Sequence, residues 1–585
     1  MEIKDKVYEA YLKEKEEAKK EYDEAVSMGL GAGYIEQKAR DSNQFTVSVN
    51  IEPQGKVNFN LTYDQLLTRT LQKYKHIVNI NPGQIVQEMS VIVNINESLP
   101  IINVEVPDLK LTNDVEIEPS KKNPLAIVTK KDANSAEIVW SPTPEQQKEI
   151  AKEGINGQLI VEYDVSRSDM QQILVEDGYF VHTFAPESLK PLPKHVCFVL
   201  DYSGSMLGTK IAQLKEAMDT ILSDLSSEDF FSLVLFSNNA KVWSPKMDQE
   251  NITTTVRPYF YSYDEPTVDE EVTKYHIIPV TPEYIEAAKK HVNSFDDYGG
   301  TNIIAGLRNG LKLTTLGAEI LKNSVIQPEP MIIFLTDGEP NIELSNPEEI
   351  IKKVKELNTD HVTIFSLAFG YGADVKFLKK LSFGNDGFHR VIYEAADAAA
   401  QLKNFYKEIS SPLLSNITFQ YVPNQVDEDT TTRIQFPTFF NGSEIVVAGK
   451  LKSQEHSGTI GELVGEGVNG TAMYPIIIDH PIIIVPPVEK KNRTVSRLEK
   501  VWAYLKIQRL LDLIDTLSNE TAVNASKSEA LELALKYKFV TPLTSLVVVK
   551  PNETTTADAE QVRPGMGQQS FASFARPSGF GGGGM

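Results

Sequence analysis

Cysteine is almost absent from the 585-residue chain, which contains Cys197 and no other. A single cysteine excludes an intrachain disulfide, and such usage is typical of proteins from a reducing compartment. Cys197 lies inside an apolar, strand-like run, so we interpret it as a small buried hydrophobic residue. Histidine is also sparse: none of the nine belongs to a His-Glu-x-x-His motif or another paired metal spacing, and zinc chemistry has no support.

Positive charge and long apolar runs are both in short supply. The formal net charge is −22 at pH 7, and a surface this acidic repels phosphate backbones, which argues against a nucleic acid partner. The longest apolar candidates, at 475–488 and 331–335, are shorter than the ~20 residues that cross a bilayer, so we expect no membrane span. The start, Met1-Glu-Ile-Lys-Asp-Lys, lacks the apolar core of a signal peptide. Taken alone, these features indicate a cytosolic protein.

Glycosylation sequons point the other way. Asn-x-Ser/Thr occurs ten times, whereas the frequencies of these residues give about four by chance. This excess favours a secreted, extracellular glycoprotein, whose signal peptide is then not present in this chain. The candidate acceptors are Asn60, Asn96, Asn251, Asn416, Asn441, Asn469, Asn492, Asn519, Asn524 and Asn552.

The first third of the chain is predicted to be rich in β-structure after one charged helix. The helix is expected over 8–28, where opposite charges recur at i,i+4 spacing, and Gly29 ends it. Period-two strands follow, and prolines after residue 185 mark a boundary. We divide this part into an N-terminal domain at 1–105 and a β-rich connecting domain at 106–193.

Between 194 and 410 the pattern changes to strands alternating with amphipathic helices. Buried-looking strands at 196–200, 230–236, 331–335 and 362–368 are separated by helical segments with apolar residues at helical spacing. This alternation predicts a doubly wound, mostly parallel, Rossmann-like sheet with helices on both faces.

The remaining chain is predicted to hold three further segments. Residues 411–490 read as a β-sandwich-like segment, and 491–551 as a helical C-terminal region that ends in a strand. Residues 552–585 form a Gly-rich tail of low complexity, for which we expect disorder. The predicted fold class is therefore multidomain α/β plus β: a doubly wound domain flanked by β-rich domains and followed by helices.

Oxygen-bearing side chains follow two predicted central strands and one loop. Asp201-Tyr-Ser203-Gly-Ser205 comes directly after a strand, at the edge where doubly wound sheets bind ligands. By itself this spacing is explained equally well as a helix cap. Thr301, in a loop before a helix, and Asp337, after a second central strand, add two oxygens at the same edge. Five such side chains from three loops predict a site for Mg²⁺, with Mn²⁺ or Ca²⁺ as substitutes.

Residues 195–410 resemble a von Willebrand type A domain, whose metal-ion-dependent adhesion site (MIDAS) uses this pattern. The resemblance implies that Ser203, Ser205 and Thr301 offer hydroxyls to the metal. Asp201 and Asp337 then offer carboxylates, directly or through water. One coordination position is left for a carboxylate of a protein or matrix ligand, so the expected role is binding rather than catalysis. Two carboxylates beside a divalent ion leave the site close to neutral, which allows an acidic ligand to approach.

The flanking segments resemble a narrower family. The charged segment from Lys13 to Gly33, with Val57-Asn-Phe-Asn-Leu-Thr-Tyr and Leu67-Thr-Arg, is similar to the VIT domain (vault protein and inter-alpha-trypsin inhibitor). Arg497-Leu-Glu-Lys-Val-Trp-Ala-Tyr-Leu and Leu535-Lys-Tyr-Lys-Phe-Val-Thr-Pro-Leu-Thr-Ser resemble the C-terminal region of inter-alpha-trypsin inhibitor heavy chains. The likeness covers roughly residues 1–551. It implies a secreted glycoprotein that associates with hyaluronan matrix and with a separate Kunitz-type light chain.

The chain departs from that family in two respects. It is expected to begin inside the VIT domain, because the strands that should precede the charged helix are missing. The signal peptide is missing as well. The Asp-Pro-His-Phe motif through which heavy chains are esterified to chondroitin sulfate is also missing, since Asp479-His-Pro has similar letters in another order. This speaks against covalent transfer onto hyaluronan. One cysteine cannot build a Kunitz framework, so we do not expect direct protease inhibition by this chain.

Two alternatives to a secreted binding protein remain. A hydrolase would use Ser203 or Ser205 as its nucleophile, but Tyr202-Ser-Gly-Ser-Met lacks the outer glycines of Gly-x-Ser-x-Gly. The stronger alternative is an intracellular VIT/type A scaffold that mediates protein–protein assembly, favoured by the single cysteine and the charged start. The Tyr-rich segment 257–282 is a candidate rim for ligand choice, although an ordinary surface loop explains it equally well.

Overall fold

The computed structural model describes most of the chain, and its contacts divide the protein into two compact units. The described residues are 1–3, 6–38, 41–51, 55–111, 121–167, 170–245, 273–294, 299–324, 326–370, 372–393, 398–453, 458–478, 495–517 and 519–550. The predicted tail at 552–585 and the part of the predicted rim at 257–272 lie outside these ranges. One unit comprises Met1–Thr62 together with the described chain from Lys538 on, and the other comprises Tyr63–Tyr537.

The helices and strands are numbered in chain order. The helices of the described residues are α1 (Lys15–Ser27), α2 (Pro144–Ile150), α3 (Thr209–Ser223), α4 (Pro282–Asn293), α5 (Ile303–Leu321), α6 (Pro347–Leu357), α7 (Val375–Phe383), α8 (Ala398–Ile409), α9 (Arg497–Thr516) and α10 (Glu520–Tyr537). The strands of the same residues are β1 (Glu2–Ile3), β2 (Lys6–Val7), β3 (Tyr11–Glu14), β4 (Ala32–Lys38), β5 (Asp41–Asn50), β6 (Val57–Asn58), β7 (Arg69–Thr70), β8 (Lys73–Ile80), β9 (Val91–Asn96), β10 (Ile101–Glu105), β11 (Ala126–Lys130), β12 (Ser135–Trp140), β13 (Gly157–Val165), β14 (Gln171–Glu176), β15 (Tyr179–Phe184), β16 (Lys194–Asp201), β17 (Phe230–Phe236), β18 (Ala240–Val242), β19 (Ile278–Pro279), β20 (Glu329–Thr336), β21 (Thr363–Phe369), β22 (His389–Ile392), β23 (Pro412–Tyr421), β24 (Val426–Asp427), β25 (Gln435–Phe440), β26 (Ile445–Leu451), β27 (Gly458–Gly467), β28 (Gly470–Ile478) and β29 (Thr544–Val549).

The smaller unit joins an N-terminal segment and the last described strand in one sheet. The order is β3-β29-β4-β5, all antiparallel, so the last strand of the described chain completes a sheet begun near residue 11. Helix α1 buries Ala18, Tyr22 and Ala25 in the core of this unit. It begins at Lys15 rather than at residue 8, because β3 pairs with β29 and strand pairing overrides the helical charge pattern. The expectation that no strand precedes this helix is wrong, since β1, β2 and β3 all do.

The larger unit begins with a β-sandwich, called here the first sandwich. Its two sheets have the orders β10-β13-β8-β7 and β11-β12-β9. Along β12 the buried residues alternate with partly exposed ones, as expected for a strand with one face in a core. Ala136, Ile138 and Trp140 on that face meet Leu159 and Val161 of β13.

Residues 194–410 form a doubly wound α/β domain, as the alternating pattern predicts. The sheet order is β18-β17-β16-β20-β21-β22, with β17, β16, β20, β21 and β22 parallel and β18 an antiparallel edge. All eight residues of β16 are buried. Val196 and Phe198 face a core formed with α3, α4 and α8, while Cys197 and Val199 face a second core formed with α5, α6 and α7. A strand covered on both faces reads as a continuous apolar run, which is why the sequence signal is clear.

A second sandwich carries the α/β domain as an insertion. One sheet has the order β14-β15-β26-β24 and the other β25-β23-β27-β28. β15 precedes the α/β domain and β26 follows it, yet the two pair over six residues. The backbone N–H of Leu192 donates to the carbonyl of Pro412 at 2.7 Å, so the chain enters and leaves the inserted domain at one place. The predicted division into consecutive segments did not include a sandwich that combines strands from before and after the α/β domain.

The C-terminal helix pair packs on the second sandwich. Trp502 of α9 is 8% exposed, and its indole Nε1 donates to the Thr430 carbonyl at 2.6 Å. Its ring contacts those of Tyr179 on β15 and Tyr537 on α10, with centroids at 5.4 and 6.2 Å. Helix α9 therefore packs against the β-structure of this sandwich. Within the described residues, none of the helices combines the length and apolar character needed to cross a membrane.

Candidate metal centre

The five predicted ligand residues lie at the carboxyl edge of the α/β sheet. Asp201 ends β16, and the backbone then turns through Ser203 and Ser205 before α3 begins. Asp337 follows directly after β20, the parallel neighbour of β16. Thr301 lies in the loop that precedes α5. Because the ends of adjacent parallel strands meet at one edge, residues far apart in sequence come together here.

The loop that carries Thr301 is tied to the end of β17 by backbone hydrogen bonds. The N–H of Gly300 donates to the side-chain oxygen of Asn238 at 2.6 Å, and the N–H of Asn302 donates to the Ser237 carbonyl at 2.7 Å. Gly299 has φ +86°, and a Cβ there would lie 2.7 Å from the Asn238 side chain. Glycine is therefore needed at this position both for its conformation and for the close approach.

The side-chain oxygens of these loops form one cluster. The hydroxyls of Ser203 and Ser205 are 3.0 Å apart, and the Ser205 hydroxyl donates to Oδ1 of Asp337 at 2.7 Å. A Cβ at Gly338 would lie 3.3 Å from both the Ser205 and the Thr301 hydroxyl oxygens, so these two flank the same glycine. Asp201 is joined to the cluster through Ser203, whose N–H donates to its Oδ1 at 2.8 Å. The structure thus brings all five predicted residues together.

Burial differs across the cluster. Asp201, Ser203, Thr301 and Asp337 are between 0 and 3% exposed, whereas Ser205 is an exposed residue. Burial raises the pKa of Asp201 to about 6, with a further upward contribution from the charge of Asp337. Hydrogen bonds from Ser203 and Thr336 act in the opposite direction. The carboxylates therefore lie below the surface, and the cluster opens to solvent on the Ser205 side.

Three residues that the sequence did not single out hold the ligand set in place. Thr336, the last residue of β20, donates its hydroxyl to Oδ2 of Asp201 at 2.6 Å. Lys210, in the first turn of α3, donates to Oδ2 of Asp337 at 2.6 Å. The side-chain oxygen of Asn341 accepts from the N–H of Thr301 at 2.7 Å. Thr336 adjoins Asp337 in sequence and could have been found there, whereas Lys210 and Asn341 have no distinguishing local pattern.

The donor set is chemically suited to a hard divalent cation. Its side-chain donors are two carboxylates and three hydroxyls, without nitrogen or sulfur, which is the ligand type that Mg²⁺ and Ca²⁺ prefer. Asp201 is 0% exposed and Asp337 1%, and a pair of buried carboxylates is stabilised by a cation between them. Among the described residues, no group of three or more His, Cys, Asp or Glu side chains is placed to hold a metal ion. A site here would therefore depend on the hydroxyls.

The sequons differ in their surroundings. Asn441 is half-buried, and Asn251, Asn492 and Asn552 lie outside the described residues. The remaining six are exposed: Asn60, Asn96, Asn416, Asn469, Asn519 and Asn524. Exposure is what an oligosaccharide acceptor requires.

Comparison with known proteins finds two domain families in this chain. The family model of the vault protein inter-alpha-trypsin domain matches residues 1–63. Two models of the von Willebrand factor type A domain match residues 196–258 and 261–408, which together span the α/β domain. Among solved structures, a von Willebrand factor type A protein from Catenulispora acidiphila aligns with 64% of this chain and 89% of its own, at 16% identity and a TM-score of 0.39.

Similar curated proteins cover nearly all of this chain. Inter-alpha-trypsin inhibitor heavy chain H3 from Pongo abelii is 33% identical over 575 residues, which is 98% of this chain and 61% of that protein. Heavy chain H4 from Bos taurus is 35% identical over 557 residues, which is 93% of this chain and 55% of that protein. The chain thus spans about three fifths of the length of the relatives it matches. The resemblance inferred from the sequence is confirmed: this chain combines a VIT domain with a von Willebrand factor type A domain and is similar to inter-alpha-trypsin inhibitor heavy chains over nearly all of its length.

Proposed function

We propose that this chain is a non-catalytic binding protein whose α/β domain engages protein or matrix ligands through a divalent cation. The cation would be held by Asp201, Ser203, Ser205, Thr301 and Asp337. The observation that carries the proposal is the convergence of these five oxygen-bearing side chains, from three separate loops, at one sheet edge. Three independent helix caps would not need to share hydrogen bonds, as the Ser205 and Asp337 side chains do.

The shape of the cluster supports a role in binding an acidic group. The two carboxylates are buried and the exposed side is formed by Ser205. A cation held there would keep some coordination positions open to solvent, and a ligand carboxylate could replace the water in one of these positions. Mg²⁺ fits this partial, hydroxyl-rich ligand set best, because it commonly retains waters in protein sites. Mn²⁺ and Ca²⁺ are the substitutes.

The same contacts give little support to hydrolysis. A serine nucleophile of the strand-turn-helix type uses a histidine within hydrogen-bond reach as its general base. The Ser203 hydroxyl instead contacts that of Ser205, and the Ser205 hydroxyl donates to Asp337. Among the described histidines, His195 hydrogen-bonds Ser232 and His182 hydrogen-bonds Tyr421, so both are engaged elsewhere.

We further propose that the protein is secreted, glycosylated and associated with extracellular matrix. Similarity to heavy chains H3 and H4 of inter-alpha-trypsin inhibitor supports this, as do six exposed sequons. Hyaluronan-associated proteins and a Kunitz-type light chain are the partners proposed, with this chain as the carrier in a protease-inhibitor complex.

The binding proposal is tested with the full chain and native fluid as the source of ligands. We expect a pull-down in Mg²⁺ to capture partners that are released by EDTA, and Asp201→Ala to capture none. Because Asp201 is fully buried, the variant is compared with wild type by circular dichroism and by its urea midpoint. Capture that survives both chelation and the substitution in a folded variant contradicts the metal-bridged mechanism.

An intracellular scaffold is the second candidate function, favoured by the single cysteine, which is buried and free. Treatment of the natively expressed protein with N-glycosidase separates the two. Secretion predicts a lower apparent mass after treatment, and substitution of Asn469 and Asn416 by Gln reduces the shift. An unchanged mobility favours the scaffold.

A further inference from the structure

Lys210 places a second cationic group at the proposed metal site. Its ammonium lies 2.6 Å from Oδ2 of Asp337 and 3.2 Å from the carbonyl oxygen of Ser205. The side chain is 15% exposed, and that of Asp337 is fully buried. An ion pair this enclosed is screened far less than one on the surface, so the charge of Lys210 acts on anything bound beside Asp337.

The two oxygens of the Asp337 carboxylate have different partners. Oδ1 accepts from the hydroxyl of Ser205, inside the oxygen cluster, whereas Oδ2 accepts from Lys210. A cation held among the hydroxyls of Ser203, Ser205 and Thr301 therefore approaches Oδ1, and Lys210 keeps its contact with Oδ2. The ammonium and a divalent ion would then use different oxygens of one carboxylate.

We propose that Lys210 tunes ligand choice at the metal site by remaining paired with Asp337 and making the cation-loaded site positively charged. This inference rests on the proposed function. Two carboxylates and one ammonium leave the site with a single negative charge, and a divalent ion converts this to a single positive charge. Without Lys210 the loaded site would be neutral. The ligand class that such a site selects is a carboxylate in an anionic setting, such as an acidic peptide segment or a uronic acid.

The proposal predicts opposite effects on the two binding steps. Removing the ammonium lessens repulsion of the incoming cation, so the divalent ion binds more tightly. It also removes attraction for the anion that follows, so the carboxylate binds more weakly. The interaction between charges a few Å apart at a partly exposed site should change the cation-binding constant and the carboxylate-binding constant by roughly three- to tenfold each. A purely structural lysine would not move the two constants in opposite directions.

The experiment uses the full chain with Lys210→Met, which keeps the length and removes the charge. Mg²⁺ affinity is measured by titration calorimetry on chelator-stripped protein. Carboxylate affinity is measured with acetate, from the relaxation of its methyl protons by Mn²⁺ bound to the protein. We expect tighter Mg²⁺ binding and weaker acetate binding, each by roughly three- to tenfold. Lys210→Arg should retain wild-type values, because it restores the charge.

Lys407→Met is the matched control, since Lys407 is exposed in the last turn of α8 and its loss changes the net charge equally. It should leave both constants unchanged. Tighter Mg²⁺ binding with unchanged acetate binding shows that the ammonium only competes with the cation, and overturns the proposal. Weakening of both constants indicates a structural role and also overturns it. Wild type that binds no divalent cation refutes the proposed function itself, and this inference with it.

Discussion

The α/β domain and the second sandwich are built in opposite ways. Every strand of the α/β sheet comes from one continuous segment, and successive parallel strands are joined through helices. The sandwich draws β14 and β15 from before that segment and the rest of its strands from after it. The domain with the candidate metal centre is therefore encoded by one continuous segment. The second sandwich forms only when β15 and β26, which are more than 200 residues apart in sequence, pair with each other. Local periodicity reveals the first kind of structure, and only long-range pairing reveals the second.

The two regions also differ in what they bury. The core of the second sandwich is formed mainly by apolar side chains, including the rings of Phe180, Phe184 and Phe439, with His182 as a buried polar residue. The α/β domain adds buried polar groups at the ends of its strands, including Asp201 and Thr336. A sandwich core is therefore sensitive to lost volume, and the sheet edge to lost hydrogen bonds.

The largest effect is expected from Phe184→Ala in the sandwich. The ring is fully buried and lies 5.4 Å from that of Phe439. Its removal should lower the free energy of unfolding by about 3–5 kcal/mol, measured by urea denaturation. Thr183→Ala, at the next position on β15, should cost about 1 kcal/mol or less, because its side chain is only half-buried. If the two variants lost similar stability, packing of the Phe184 ring would not be a main contribution to the sandwich core.

An intermediate effect is expected from Thr336→Val at the sheet edge. The substitution keeps the shape but removes the hydroxyl that donates to Asp201 at 2.6 Å. Loss of this buried bond should lower stability by about 1–3 kcal/mol. Mg²⁺ affinity should fall by roughly tenfold or more, because the carboxylate is no longer held in place.

Thr363→Val provides the control for that edge. Thr363 is a buried threonine at the start of β21, at the opposite end of the sheet from the cluster. It should leave Mg²⁺ affinity unchanged, as titration calorimetry can show. Equal loss of affinity in the two variants would mean that general destabilisation, and not the Thr336 hydroxyl, controls the site.

The smallest effect is expected at the seam between the two regions. Glu329 begins β20 of the α/β domain and accepts a hydrogen bond from Thr438 of the sandwich at 3.2 Å. Burial raises its pKa from an ordinary 4.5 to about 7, against hydrogen bonds from Ser415 and Thr438. The folded protein thus holds this proton more tightly than the unfolded chain does. Its contribution to stability is complete below about pH 4.5 and is lost as the pH rises through about 7.

Glu329→Gln removes this titration. The variant should match wild type near pH 5 and be more stable near pH 8, as measured by urea midpoints across that range. Glu319→Gln, at an exposed position on α5, should follow the wild-type curve. Curves for Glu329→Gln and wild type that stay parallel would show that the seam does not hold a protonated carboxyl.

Sequence reasoning succeeded where a residue's role depends on its neighbours in the chain. Asp201, Ser203 and Ser205 share one loop. The strands before Asp201 and Asp337 are continuous apolar runs, a pattern that indicates central strands of a sheet. Thr301 could be added because the next residues begin a helix. Lys210 could not be added, since an exposed-looking lysine in the first turn of a helix has many possible partners, and only the fold assigns it Asp337.

The amino-acid sequence by itself determined the fold class, four strands of the α/β sheet to within a few residues, and the five oxygens that meet at its edge. Periodicity and strand-end position are local properties, so they can be read without a structure. Tertiary structure decided that β29 completes a sheet begun at β3, that the α/β domain is inserted into a sandwich, and that Lys210 faces Asp337. Those outcomes depend on which distant surfaces bury each other most favourably, and no stretch of sequence carries that information alone.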